Sequence, residues 1–162
     1  MDQCFSNCER VLGYYITTKS VEECVSDIAA WLKKGEKGKY FVCANPHSLE
    51  VARFDNTFRK ALENADIVVP DGIGIVIASK ILGGTIRERI TGSDIFLGLS
   101  SILDKEKDKT YRYFFLGSSE NSLSCIKQKL KNEFPNIQVV GTYSPPYKEY
   151  FDEEDNNVMI KS

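Results

Sequence analysis

The residues best suited to chemistry sit where short apolar runs end. Asp66-Ile67-Val68-Val69 stops at Pro70-Asp71-Gly72. An aspartate there follows a stiff residue and precedes one without a side chain, so it is held from one side and open to approach from the other. Such a carboxylate can take a proton from a hydroxyl, which makes Asp71 a candidate general base. The same position suits an N-cap for a helix starting at Ile73, a role worth about 1 kcal/mol, and spacing alone does not choose between the two. Two further apolar runs end at Cys43-Ala44-Asn45 and at Gly117-Ser118-Ser119. Were all three runs parallel strands, their ends would share one rim, where helix N-termini offer free N–H groups and positive dipole ends to a ligand.

Arg87 and Arg89 are candidate clamps for a diphosphate, because a guanidinium matches phosphate oxygens in bidentate fashion. The competing reading for Arg89 is a surface ion pair with Glu88 or Asp94. Asn45, before Pro46, reads first as a helix cap, and His47 reads as a partly exposed polar residue. Gly72-Ile73-Gly74 falls short of the dinucleotide fingerprint, which requires glycine where Ile77 stands. No phosphate-binding loop of the G-x-x-x-x-G-K-[ST] type occurs either.

The remaining composition narrows the classes. With 162 residues, 42% hydrophobic and 27% charged, the chain can bury a core and is expected to form a single domain over 1–162. A net charge of -2 with no clustered Lys/Arg surface argues against a nucleic-acid binder. The five cysteines are odd in number and scattered, which favours reduced thiols and a cytoplasmic setting. Cys4 and Cys8 would suit half of a metal site, but a closed site needs about four ligands and only one histidine is present. Neither a metal nor a cofactor is expected. No apolar run reaches the roughly 18 residues of a membrane span.

Short β-rich runs alternate with amphipathic stretches, the pattern of an α/β protein: a Rossmann-like, open, mainly parallel sheet with helices on both faces. The first clear helix begins at Ser20, where Ser20-Val21-Glu22-Glu23 forms a capping box, and ends near Gly35. Tyr40-Phe41-Val42-Cys43 reads as a strand. The helix after Asn45-Pro46 breaks at Asp55-Asn56 and resumes. Positions 73–82 read as a nearly all-apolar, buried helix closed by Gly83-Gly84, and a helix over 93–103 follows a polar connection. The charged run 104–109 reads as a solvated loop. Tyr113-Phe114-Phe115-Leu116 and Gln138-Val139-Val140 are the last strands, with irregular chain past Gly141 and a new helix starting at the end.

Several ordered motifs carry a resemblance. They are Asn45-Pro46-His47-Ser48-Leu49 with Ala52, the run from Ala65 through Asp71 to Gly74, Arg89-Ile90-Thr91-Gly92-Ser93-Asp94, and Phe115-Leu116-Gly117. Together they resemble the WecG/TagA/CpsF family of bacterial glycosyltransferases, over most of the chain from about Gly13 onward. The resemblance implies a metal-independent, inverting transferase. It would move a sugar of the N-acetylmannosamine type from a UDP-sugar donor to a polyprenyl-diphosphate-linked acceptor, for cell-surface polysaccharide or teichoic acid. It assigns the base to Asp71, and it implies substrate-site positions at Cys43, Asn45, Gly72, Arg89, Thr91, Gly92, Asp94, Gly117 and Ser118.

Work on such an acceptor implies a place at the inner face of the cytoplasmic membrane. Cys43 stands where the family usually has threonine, exchanging a hydroxyl for a weaker thiol. The family's further strand, Pro-Lys-Gln-Glu loop and basic C-terminal segment have no counterpart here, so a truncated member is expected, of weak activity or serving only to bind a nucleotide sugar. An exposed sheet edge would favour self-association.

Overall fold

The computed structural model describes residues 7–148 and 150–162. The chain divides into two compact units, one reaching to Leu99 and one beginning at Ser100.

In the first unit, β1 (Cys8–Val11) and β2 (Tyr14–Thr17) form an antiparallel hairpin, with Cys8 opposite Thr17 and Val11 opposite Tyr14. Leu12 and Gly13 make its two-residue turn, both at positive φ (51° and 96°), the left-handed pair whose twist matches the flanking strands. α1 (Val21–Lys34) follows, entered through the expected Ser20/Glu23 capping box and closed by Gly35 in the left-handed conformation. β3 (Phe41–Ala44) leads into α2 (Pro46–Phe54), which gives way at Asp55 to α3 (Asn56–Glu63). Asp55 ends one helix and starts the next: its N–H donates to the Val51 carbonyl while its carboxylate caps Thr57 and Phe58. β4 (Ile67–Pro70) then pairs in parallel with β3, Phe41 opposite Ile67 and Ala44 opposite Pro70.

This parallel pair is covered on both faces, and strand alternation sorts its residues between them. Val42, Ala44 and Val68 join Val11, Tyr14 and Ile16 of the hairpin, Leu49 and Ala52 of α2, and Leu62 of α3. Phe41, Cys43, Ile67 and Val69 pack with Cys24, Val25 and Ile28 of α1 and with Ile90 and Ile95. All four residues of β4 are buried, each large apolar one contributing about 1.5–3 kcal/mol.

α4 (Ile73–Ile81) departs from expectation. Ile75, Val76 and Ser79 are buried, but Ile73, Ile77, Ile81 and Leu82 are exposed. Composition made the helix look buried all round. Only one face of it meets the core, and the isoleucines at fourfold spacing lie on the other. α5 (Gly92–Leu103) begins one residue earlier than expected.

The second unit holds β5 (Tyr111–Leu116), α6 (Glu120–Glu133), β6 (Ile137–Tyr143) and α7 (Glu153–Lys161). β5 and β6 are parallel, joined through α6. β6 extends past the expected stop at Gly141. The register slips between Tyr113 and Phe114, so that Phe114 faces Gly141. A Cβ at Gly141 would lie 2.7 Å from the Phe114 ring, so the glycine makes room for the ring and does not end the strand. α7 starts earlier than its apolar residues indicate, because Asp152 and Asp155 form a capping box. The charged run after α5 has definite partners: the Asp104 carboxylate accepts from Asn136 N–H (2.8 Å) and Glu106 accepts from the Tyr111 hydroxyl (2.6 Å).

The α/β class and the parallel strand pairing are as expected. Among the described residues the pairing is divided into three two-stranded sheets, two parallel and one antiparallel.

Candidate active site

The first unit brings together the strand ends of β3 and β4. The Asp71 N–H donates to the Ala44 carbonyl (2.8 Å), continuing the parallel ladder one residue past β4. Pro70 offers its carbonyl to Ile90 N–H (2.9 Å), which ties the approach to α5 onto the same strand end. A Cβ placed on Gly72 would lie 3.8 Å from Asn45 Cβ, and one on Gly74 would lie 2.7 Å from Pro46 Cγ. The N-termini of α2 and α4 thus meet at van der Waals distance, and only glycine fits where they touch.

Asn45 caps α2 as its residue type requires: Oδ1 accepts from Ser48 N–H (2.8 Å) and Ser48 Oγ accepts from Asn45 N–H (2.9 Å). Asp71 does not cap α4. Gly72 holds the N-cap position, at φ 103°, and α4 has no side-chain cap. Among the described residues no hydrogen bond or ion pair engages the Asp71 carboxylate. The capping alternative raised by spacing is therefore removed. What remains is a half-buried, unengaged carboxylate beside a helix N-terminus whose first N–H groups are uncapped.

Cys43 lies across from the start of α5. A Cβ on Gly92 would be 3.5 Å from its Sγ. Burial pushes the Cys43 thiol up and the Asp71 charge adds to that, while the Gly92 N–H opposes both. Cys43 therefore stays a neutral thiol around pH 7. Thr91 and Asp94 bond reciprocally, Thr91 N–H and hydroxyl donating to Asp94 Oδ2 (2.8 and 2.7 Å) and Asp94 N–H to Thr91 Oγ1 (3.2 Å). These bonds, aided by the Arg89 charge, hold the Asp94 carboxyl below the usual range. Thr91 and Asp94 thus serve as the entry cap of α5.

Arg87, Glu88 and Arg89 are exposed between two buried isoleucines, Ile86 and Ile90. Arg89 forms no ion pair with Glu88 or Asp94, although its charge reaches Asp94. Its guanidinium is available.

Gly117 and Ser118 belong to the second unit, at the end of β5. Both have positive φ (105° and 66°), Gly117 N–H donates to the Tyr143 carbonyl (2.9 Å), and the Ser144 hydroxyl donates to the Ser118 carbonyl (2.6 Å). Ser119 caps α6. The strand-end geometry expected for this segment is present within its own unit.

Sequence reading missed a cavity of about 450 Å³ in the first unit, walled by Thr17, Thr18, Lys19, Ser20 and Glu23 and by Pro70, Thr85, Ile86, Arg87 and Glu88. The two walls lie 47 or more positions apart in sequence, and the hairpin that brings the first of them there carries little signal. The Cys4–Cys8 pair cannot be followed, since Cys4 lies outside the described residues. Among the described residues no cluster of His, Cys, Asp or Glu could hold a metal ion, and no helix is long and apolar enough to cross a membrane.

Residues 9–162 match the model of the glycosyl transferase WecG/TagA/CpsF family. The chain belongs to this family. Among curated WecG/TagA/CpsF-like relatives, the N-acetylglucosaminyldiphosphoundecaprenol N-acetyl-beta-D-mannosaminyltransferase of Bacillus spizizenii is 37% identical over 111 residues, covering 68% of this chain and 42% of that protein. The protein of the same name from Bacillus subtilis is 29% identical over 110 residues, 68% of this chain and 41% of its own. That of Staphylococcus aureus is 24% identical over 150 residues, 92% of this chain and 56% of its own. The chain thus spans about two fifths to a little over half the length of these relatives.

Proposed function

We propose that this WecG/TagA/CpsF family chain forms the nucleotide-sugar side of a glycosyltransferase. In this reading it transfers a sugar of the N-acetylmannosamine type from a UDP donor to a polyprenyl-diphosphate-linked sugar. The observation that carries the reading is the Asp71 carboxylate, which stands at a strand end without capping α4 and without a hydrogen bond among the described residues. A carboxylate with no structural task there is free to act as a base. The relatives' shared name supports the acceptor class.

In this mechanism Asp71 takes the proton of the acceptor hydroxyl as that oxygen bonds to the anomeric carbon of the donor. The carbon–oxygen bond to UDP breaks on the opposite face, its electron pair leaves with the diphosphate, and configuration inverts. The reaction needs no metal. Arg89 and the uncapped N–H groups of α4 meet the diphosphate charge, the kind of fixed donor array that stabilises a leaving group. Asn45, Cys43, Gly72, Thr91, Gly92 and Asp94 of the first unit shape the wall around it. The lipid-linked acceptor brings the chain to the cytoplasmic face of the membrane.

Asp71→Asn tests this reading. Transfer should fall by about 10²–10⁴-fold, the usual worth of a general base, while UDP-sugar binding measured by calorimetry and the Tm stay close to wild type. Equal loss of binding and transfer would instead make Asp71 a structural residue. A second reading is a chain that binds the donor without turning it over. UDP binding with no sugar release at any enzyme concentration would establish it.

A further inference from the structure

Glu9 in β1 makes a contact that no step above uses. Its Oε2 accepts from both the N–H and the hydroxyl of Thr85, the latter at 3.1 Å, across 76 positions of sequence. Its Oε1 is closed off from solvent and accepts no hydrogen bond among the described residues, on the side where Ser79 and Gly84 lie. Ser79 is fully buried, and its Oγ accepts from Ile86 N–H (3.2 Å). A Cβ on Gly84 would stand 2.6 Å from Ser79 Oγ and would run into the Glu9 carboxylate, so the carboxylate occupies the space a side chain at 84 would need. Burial alone would raise the Glu9 carboxyl, but the Ser79 hydroxyl, the Thr85 N–H and hydroxyl and the Ile86 N–H together hold it below its ordinary value.

These bonds fix one end of the connection between α4 and α5. The other end is fixed by Ile90, buried and bonded through its N–H to the Pro70 carbonyl. Between the two anchors only Arg87, Glu88 and Arg89 are free to face solvent. Arg87 lines the 450 Å³ cavity together with Pro70, the residue before Asp71. A short segment pinned at both ends has little backbone freedom, so the chain that carries the arginines is set before any ligand arrives, which lowers the ordering cost of binding.

We infer that Glu9 is a positioning residue: it latches Thr85, next to the Ile86 N–H that Ser79 holds, so that the Arg87–Arg89 segment is held as a preformed cationic wall for the diphosphate of a nucleotide sugar. The ligand class rests on the proposed function, whereas the latch does not. Glu9→Gln keeps the size of the side chain but removes the charge that the two Thr85 donors share and gives the site a surplus donor.

The test uses the full chain with amide hydrogen exchange and UDP titration side by side. Glu9→Gln should speed exchange at Thr85, Ile86 and residues 87–89 while leaving β3 and β4 protected. It should also weaken UDP binding about tenfold, the scale set by losing a hydrogen bond to a charged group. In the wild type the Thr85 and Ile86 amide resonances should follow an acid transition below the ordinary glutamate value, and that transition should vanish in Glu9→Gln. Ser79→Ala, a second strike on the same latch, should loosen the same amides. Unchanged exchange at 85–89 in both variants overturns the latch. Loosened amides with UDP affinity within twofold of wild type overturn the positioning role. A wild type that shows the exchange effect but binds no UDP keeps the latch and removes the glycosyltransferase reading instead.

Discussion

The two parallel strand pairs of this chain are built differently. β3–β4 is covered on both faces, and every residue of β4 is buried. β5–β6 alternates, with Arg112, Phe114 and Leu116 exposed along β5 and a slip in register midway. A strand buried on both faces cannot shift register without moving apolar residues out of two cores at once, whereas a strand covered on one face and relieved by a bulge has more freedom. The candidate base stands at the end of the first kind. The rigid pair thus carries Asp71, the proposed base, and the adaptable pair carries a backbone turn.

The largest effect should come from cutting into the doubly covered strand. Val69→Ala should cost about 1.5–3 kcal/mol in urea unfolding, since its side chain is fully buried. Leu116→Ala, more than half exposed, should stay within about 0.5 kcal/mol. Equal costs would dissolve the contrast.

Gly141→Ala should come next, at about 1–3 kcal/mol, because its Cβ would overlap the Phe114 ring. Adding Phe114→Ala should recover most of that loss. Failure of the second change to rescue the first would place the strain elsewhere in β6. A smaller loss, about 1 kcal/mol, is expected for Asn45→Ala through the broken α2 cap, and thermal unfolding would read it.

The smallest effect is that of acid. Glu9 and Asp66 both have carboxyls held below their ordinary values: burial opposes this in each, but the nearby Ser79 hydroxyl and the Thr85 bonds outweigh it at Glu9, and Lys39 with the Tyr40 N–H outweighs it at Asp66. A depressed carboxyl contributes stability that is fully present above its unfolded value and is lost as pH falls through its folded value. Their share of stability should therefore be constant near neutrality and decline below the ordinary carboxylate range. In a pH series of urea midpoints, Glu9→Gln should flatten part of that decline.

The difference between the strand pairs also explains what could be read from the residues. Ile67-Val68-Val69 followed by Pro70-Asp71-Gly72 is an apolar run with strong punctuation, so β4, its end and Asp71 were all legible. The hairpin was not: Cys8-Glu9-Arg10-Val11 is a short strand with two charged residues, and its turn uses Leu12 at positive φ where asparagine or glycine would announce itself. Gly141 looked like a stop because the ring that needs its space belongs to another strand. The exposed face of α4 was hidden for a different reason, since a helix apolar on all sides carries no periodic signal of which side meets the core. The family motifs named Asp71 and Arg89 as candidates, while Glu9 gave no local sign because its partner Thr85 is 76 positions away.

Gly74 and Pro46 occupy one shared volume, as the 2.7 Å approach of a hypothetical Cβ shows. Neither position can change alone toward greater bulk. Any lineage that enlarges residue 74 must first shrink residue 46 or move α2, and moving α2 drags its Asn45 cap away from the strand end beside Asp71. The two residues therefore form an evolutionary lock, in which variation at one is conditional on the state of the other and divergence in this corner proceeds by paired substitutions.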